Sequence, residues 1–157
     1  MTQTYLTKQG LKQLQTEYDL LITQGRKESA EKIKSAIDSG GYEDNVQYDL
    51  ELERQLLLEK RIAELEGILR DGKVIETKKN GKEVNSVIIG SFVIVEVEGE
   101  KDQFRIVGSV EANPIKKLIS NESPVGQALL GAKIGETVEV NTPVVKLKYK
   151  VVEIKNE

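Results

Sequence analysis

Apolar residues along this chain change their spacing once, and that change limits the possible folds more than any other feature. In the first half, Leu11, Leu14, Tyr18 and Leu21, and further on Ile33 and Ala36, follow one another at steps of three and four. Such spacing marks a helix whose other faces are polar. A helix is expected from Thr7, its N-cap, to about Asp38. Leu58, Ile62, Leu65 and Leu69 repeat the step in a second helix from about Asp44 to Arg70, and Asp71-Gly72 supplies its stop. At 1.5 Å per residue each helix would run roughly 40 to 48 Å. The turn between them is only a few residues long. The two helices therefore most simply fold back as an antiparallel coiled-coil hairpin.

From about Val74 the period becomes two. VIIGSFVIVEVEG, QFRIVG, VEVNTP and VVKLKYKVVEI are rich in β-branched residues, with turns such as EGEKD between them. Lys146, Lys148 and Lys150 alternate with Leu147, Tyr149 and Val151, which is the pattern of an antiparallel strand with one wet face. Ser123-Pro124 reads as a helix start and Gly131 as the close of that short helix. The expected class is α+β, with a helical hairpin in residues 1–75 and a small antiparallel sheet carrying one short helix in residues 80–157. The polar, turn-prone stretches DGK and KKNGKE mark the boundary near 72–80.

Composition narrows the chemistry. The chain has neither cysteine nor histidine, which removes disulfides, Cys and His nucleophiles, His bases and zinc sites of the usual kind. Carboxylates, amides, hydroxyls and lysines remain, a donor set that suits a hard cation such as Mg²⁺. No apolar run is long enough to span a bilayer, and the first residues lack the core of a signal peptide, so a soluble cytoplasmic protein without membrane attachment is expected. A net charge of −3 gives no broad attraction to nucleic acid phosphates.

The hairpin's turn is chemically distinct. No Lys or Arg occurs between Ser35 and Glu53, while Asp38, Glu43, Asp44, Asp49, Glu51 and Glu53 are acidic, and the turn itself reads GGYEDN. An acidic tip at 40–45 invites a cationic partner.

YLTKQGLKQLQTEYDLL, NVQY with EKRIAELEGIL, and above all ISNESPVGQALLGAKIGETVEVNTP resemble the bacterial Gre transcript cleavage factors over nearly the whole chain. The resemblance implies an FKBP-like C-terminal domain that docks on RNA polymerase at the mouth of its secondary channel, and a coiled-coil arm that threads the channel. It further implies that the tip helps hold a Mg²⁺ and an attacking water against the 3′ end of backtracked RNA, so that the polymerase cleaves it. On that basis Asp44 and Glu43 are the candidate metal and water ligands, Asn45 and Tyr42 support them, and Ser123, Pro124 and Val125 are candidate docking residues. The factor would have no cofactor of its own and would share Mg²⁺ with the polymerase. It would touch the nascent RNA only indirectly, act as a monomer and be an accessory factor, not an enzyme.

The tip departs from the pattern that the resemblance implies. Cleavage-competent relatives carry an acid, two variable residues, a second acid and Asn, whereas the five residues here are Gly41, Tyr42, Glu43, Asp44 and Asn45. Three readings stay open. Asp44 and Glu43 still recruit Mg²⁺; or the chain is a channel-occupying regulator or inhibitor without cleavage activity; or Gly40-Gly41 only make a turn, Asp44 caps the second helix and Glu43 is solvated. Arginines that favour the transcript in relatives align with Ile37 and Leu52, although Arg54 lies nearby. The rival functions are an FKBP-type prolyl isomerase, which wants an aromatic-lined pocket where this half offers Phe92, Phe104 and Tyr149, and a chaperone that grips clients with its helices.

Overall fold

The computed structural model describes residues 3–75 and 86–155. By their contacts these residues fall into two units. One holds residues 11–72, the other the described residues up to Gly10 together with those from Lys73 onward. The KKNGKE linker and the first residues of the segment expected to begin at 80 lie outside the described residues.

The helical unit contains most of α1 (Lys8–Leu20), a π turn at Leu21–Gly25, α2 (Arg26–Gly40) and α3 (Val46–Asp71). The hairpin expected from the 3-4 spacing is present, and the apolar stripe forms its seam. Leu14, Ala36, Ile62 and Leu65 are buried, with Leu58 and Leu69 half-buried along the same line. Ionic and hydrogen-bonded pairs flank the seam: Arg26 to Glu59 and Tyr18 to Glu66 on one side, Arg61 to Glu17 on the other. The single long first helix expected from sequence is interrupted by the π turn. There Gly25 faces Leu58 so closely that a β-carbon would come within 3.2 Å of its methyl group. Helix α3 ends where expected, but Gly72 is extended rather than left-handed, with φ −67° and ψ 135°.

Thr7 is the N-cap of α1, its hydroxyl accepting from the Gly10 amide at 3.0 Å. The cap is reinforced from a distant loop: Glu111 accepts from the Thr7 amide at 2.9 Å and from its hydroxyl at 2.6 Å. Gly10 leaves room for that carboxylate, since a β-carbon there would overlap it.

The sheet unit has five strands, β3 (Phe92–Val97), β4 (Glu100–Val107), β5 (Leu118–Ser120), β6 (Thr137–Asn141) and β7 (Lys146–Lys155), in the order β5-β4-β3-β7-β6. Three of these pairings are antiparallel, as the alternation predicts; β5 instead joins β4 in parallel, so the sheet is mixed. A two-residue parallel bridge, β1 (Tyr5–Leu6) with β2 (Lys73–Val74), also belongs to this unit. Val93, Val95, Ile106, Val140, Tyr149 and Val151 fill the core together with Leu129 of α4 (Pro124–Leu129). Lys146, Lys148 and Lys150 face solvent, as their alternation requires.

Candidate functional site

The hairpin tip is built by backbone conformation and one amide side chain. Gly41 ends α2, its N–H donating to the Ile37 carbonyl at 2.8 Å. Its φ of 72° and ψ of −162° lie in a region open essentially to glycine alone. Asp44 has φ 51°, a left-handed conformation that Asp tolerates better than most residues. The chain thus reverses across Gly41 to Asn45 and enters α3 at Val46.

Asn45 holds this turn together. Its Oδ1 accepts from the Tyr48 amide at 3.1 Å, which makes it the N-cap of α3. Its Nδ2 donates to the carbonyls of Ala36 and Gly41, both at 2.8 Å, tying the end of α2 to the start of α3. The side chain is buried, and three of its four possible hydrogen bonds are made. Gly40 is required beside it, because a β-carbon at Gly40 would sit 2.7 Å from Asn45 Nδ2. The cap expected at Asp44 therefore falls one residue later. Asp44 is turned into the left-handed region and Asn45 takes the extended conformation that a cap needs.

Because Asn45 caps the helix, the tip acids are released from that task. Glu43 and Asp44 are exposed, and among the described residues neither carboxylate makes a hydrogen bond or ion pair. Tyr42, 68% exposed, packs edge-on against Tyr48 with ring centroids 5.5 Å apart and planes at 83°. That contact braces the turn against the first turn of α3. The structure thus brings Tyr42, Glu43, Asp44 and Asn45 together at one apex.

One acid of the sequence cluster drops out. Glu51 is 4% exposed and accepts from Gln47 at 2.9 Å and Arg54 at 2.8 Å, so it is not part of the solvent-facing acidic tip. Arg54, the nearest cation to the tip on α3, is engaged by it. Ile37 is half-buried and Leu52 exposed, and both are apolar.

No group of three or more acids close enough to hold a metal ion occurs among the described residues. Two adjacent, unpaired carboxylates nonetheless fit a hard cation that takes one or two carboxylates and keeps several waters. They fit an ion whose remaining ligands come from elsewhere. They do not make a closed site of their own.

In the sheet unit, Ser123 caps α4: its Oγ accepts from the Gly126 amide at 3.1 Å and donates to the Ser120 carbonyl at 2.7 Å. Pro124 is exposed at the first helical position, while Val125 packs on the core. The three aromatics of the prolyl isomerase alternative have separate surroundings, and Tyr149 borders a polar cleft lined otherwise by Val97, Glu98, Glu100, Lys101 and Asp102. The Arg105 guanidinium covers Phe92 at 5.1 Å, the Lys117 ammonium lies 5.5 Å from Phe104, and Tyr149 is buried in the core.

A helical hairpin with two free carboxylates at its apex, joined in sequence to a small mixed sheet, defines an α+β architecture with two acidic groups exposed on its turn. Residues 4–74 match the family described as "Transcription elongation factor, N-terminal", and residues 80–156 match "Transcription elongation factor, GreA/GreB, C-term". The chain is 44% identical over 152 residues to the transcription elongation factor GreA of Clostridium acetobutylicum, covering 96% of this chain and 95% of that one. It is 43% identical over 152 residues to the protein of the same name from Caldanaerobacter subterraneus subsp. tengcongensis, covering 96% of each. Among solved structures, the crystal structure of the GreA factor homolog 1 protein of Thermus thermophilus is 28% identical and covers 99% of this chain and 100% of that one; its TM-score of 0.44 decides nothing about the fold. The chain belongs to the GreA/GreB family of transcription elongation factors.

Proposed function

We propose that this elongation factor binds bacterial RNA polymerase through its secondary channel and stimulates cleavage of backtracked nascent RNA. The observation that carries the proposal is the pair Glu43 and Asp44, solvent-facing and unpaired on a turn that Asn45 fixes from three directions. A carboxylate that must meet a metal and a water inside a partner's active site has to arrive unspent and accurately placed. Asn45 meets both needs, since it relieves the acids of capping and pins the two ends of the turn. Tyr42, leaning on Tyr48, supports the apex, and in this reading it would meet the RNA 3′ end or a polymerase group.

Glu43 and Asp44 are the residues that would hold a Mg²⁺ shared with the polymerase, and such an ion supplies a polarised water and charge neutralisation during phosphodiester hydrolysis. The exposed turn has no pocket to exclude water or to tune a carboxylate. The chain by itself is therefore an accessory factor and leaves free RNA intact. Ser123, Pro124 and Val125 are the proposed docking residues of the sheet unit.

A second reading, a channel-occupying regulator without cleavage activity, is favoured by Gly41. It stands where the family pattern has its first acid, in a conformation that excludes other residues. A stalled, backtracked elongation complex with 3′-labelled RNA and Mg²⁺ separates the two. Wild type is expected to accelerate 3′ fragment release over the factor-free complex, and Asp44→Ala to return it to the factor-free rate while still binding. Binding without acceleration by wild type would sink the cleavage reading and leave the regulator.

A further inference from the structure

Helix α3 carries a second apolar face that the hairpin does not use. Its buried line runs through Leu58, Ile62, Leu65 and Leu69. Val46, Leu50 and Leu57 form another line, roughly 110° around the helix and about 16 Å long. Val46 is 81% exposed, Leu57 63% and Leu50 39%. Single exposed leucines are ordinary; several apolar residues on one helical face that no described residue of the helical unit covers are not.

Val46, Leu50, Asp49 and Glu53 line a shallow cleft of about 450 Å³ on this face. Among the described residues, the carboxylates of Asp49 and Glu53 have no hydrogen bond or ion pair. Apolar floor and free acidic rim together describe the occupant: an apolar segment bordered by Lys or Arg. No Lys or Arg lies between Ser35 and Glu53, so the same stretch of a second copy cannot match the rim. The face also starts at Val46, the residue after Asn45. A partner that encloses the tip must therefore reach it.

We infer that the Val46-Leu50-Leu57 face of α3 docks an apolar, base-bordered segment of the polymerase beside the site the tip enters, and that it supplies affinity independently of the tip acids. The inference rests on the polymerase being the partner. It divides the labour within the arm: Glu43 and Asp44 act on the reaction, while the α3 face sets how tightly and how long the arm stays in place.

The test measures binding of the full-length chain to a cognate elongation complex at several salt concentrations, and RNA release at saturating factor. Leu50→Ser/Leu57→Ser is expected to raise Kd about tenfold with RNA release at saturation unchanged. Asp49→Lys/Glu53→Lys is expected to raise Kd at least as much and to flatten its salt dependence, and because all four positions are at the surface it reports even where the serine variant has lost helicity. If wild type binds and both variants bind equally well, the α3 inference is overturned and the polymerase reading stands. If wild type does not bind the complex at all, the polymerase reading fails and takes the inference with it. If sedimentation shows a wild-type dimer that the serine variant abolishes, the face belongs to a second copy, and the inference is likewise overturned.

Discussion

Asn45 decides more about the tip than either acid. An N-cap side chain alone is worth about 1 kcal/mol, but this amide also satisfies two carbonyls, and a buried acceptor left without its donor costs about 1–3 kcal/mol. Asn45→Ala is expected to destabilise the helical unit by about 2 kcal/mol or more and to raise amide exchange at Tyr48. Asn45→Asp tests the two roles separately. It keeps the capping acceptor and loses both donors, turning a carboxylate oxygen toward Ala36 and Gly41, so it is not expected to rescue. Thermal melts of the three proteins, with exchange read by NMR, settle the point; an Asp variant as stable as wild type would show that the ties contribute nothing. The sequence GGYEDN suggests Asn45 as a support of the tip, but Asp44 looks the candidate cap and the ties to Ala36 and Gly41 are not visible in it. The order is set by backbone conformation, because Asp44 is turned left-handed and only Asn45 is extended at the entrance to α3.

Helix pairing follows from the seam, and two kinds of substitution on α3 should separate sharply. Leu65 is fully buried, so Leu65→Ala is expected to cost about 2–5 kcal/mol. Leu57→Ala, on the exposed face, should cost less than about 0.5 kcal/mol; urea titration of both measures the contrast. The flanking ion pairs give the seam a pH dependence. The Arg26 guanidinium, hydrogen-bonded to Glu59, holds that carboxyl below its ordinary value of 4.5. A lowered carboxyl contributes stability that is complete above the ordinary value and is lost as pH falls through the lowered one. The difference in melting temperature between wild type and Glu59→Gln is therefore expected to be small but constant from pH 7 down to about 5, and to vanish on further acidification. Arg26 is held above its own ordinary value by the same hydrogen bond and does not enter this window. At this scale the 3-4 spacing was a reliable guide to which residues pair. It gave no sign of the π turn at Leu21–Gly25, nor of Glu51 turning inward to Gln47 and Arg54. An acid on a helix reads as solvated until its neighbours are placed.

Across the whole molecule, a chain without Cys or His is left with carboxylates, amides, hydroxyls and lysines, and the apex displays two exposed carboxylates. Magnesium titration of the free protein, followed by NMR shifts at Glu43 and Asp44, is expected to give a dissociation constant of about 1 mM or weaker. Tight binding by the free chain would contradict the view that the ion is shared with the polymerase. In the sheet unit the alternating strands were legible because one face is wet and the other packs on Leu129 and Tyr149. Strand β5 was not, being three residues long and placed by a left-handed Lys117.

Sequence alone determined the two periods and hence a helical hairpin followed by a sheet, the acidic character of the tip, the caps at Thr7 and Ser123, and the exclusion of Cys and His chemistry. These are local properties, each written in residues a few positions apart. The tertiary structure decided which tip acids are free and which acid is buried, which residue caps α3, how β5 joins the sheet, and that α3 has an apolar face which the hairpin's seam leaves exposed. Each of those depends on groups far apart in the chain or on backbone conformation at a turn: Asn45 reaching Ala36, Glu111 reaching Thr7, β4 receiving β5. Spacing along a sequence reports which face of an element is apolar, and only the folded chain shows whether anything covers it.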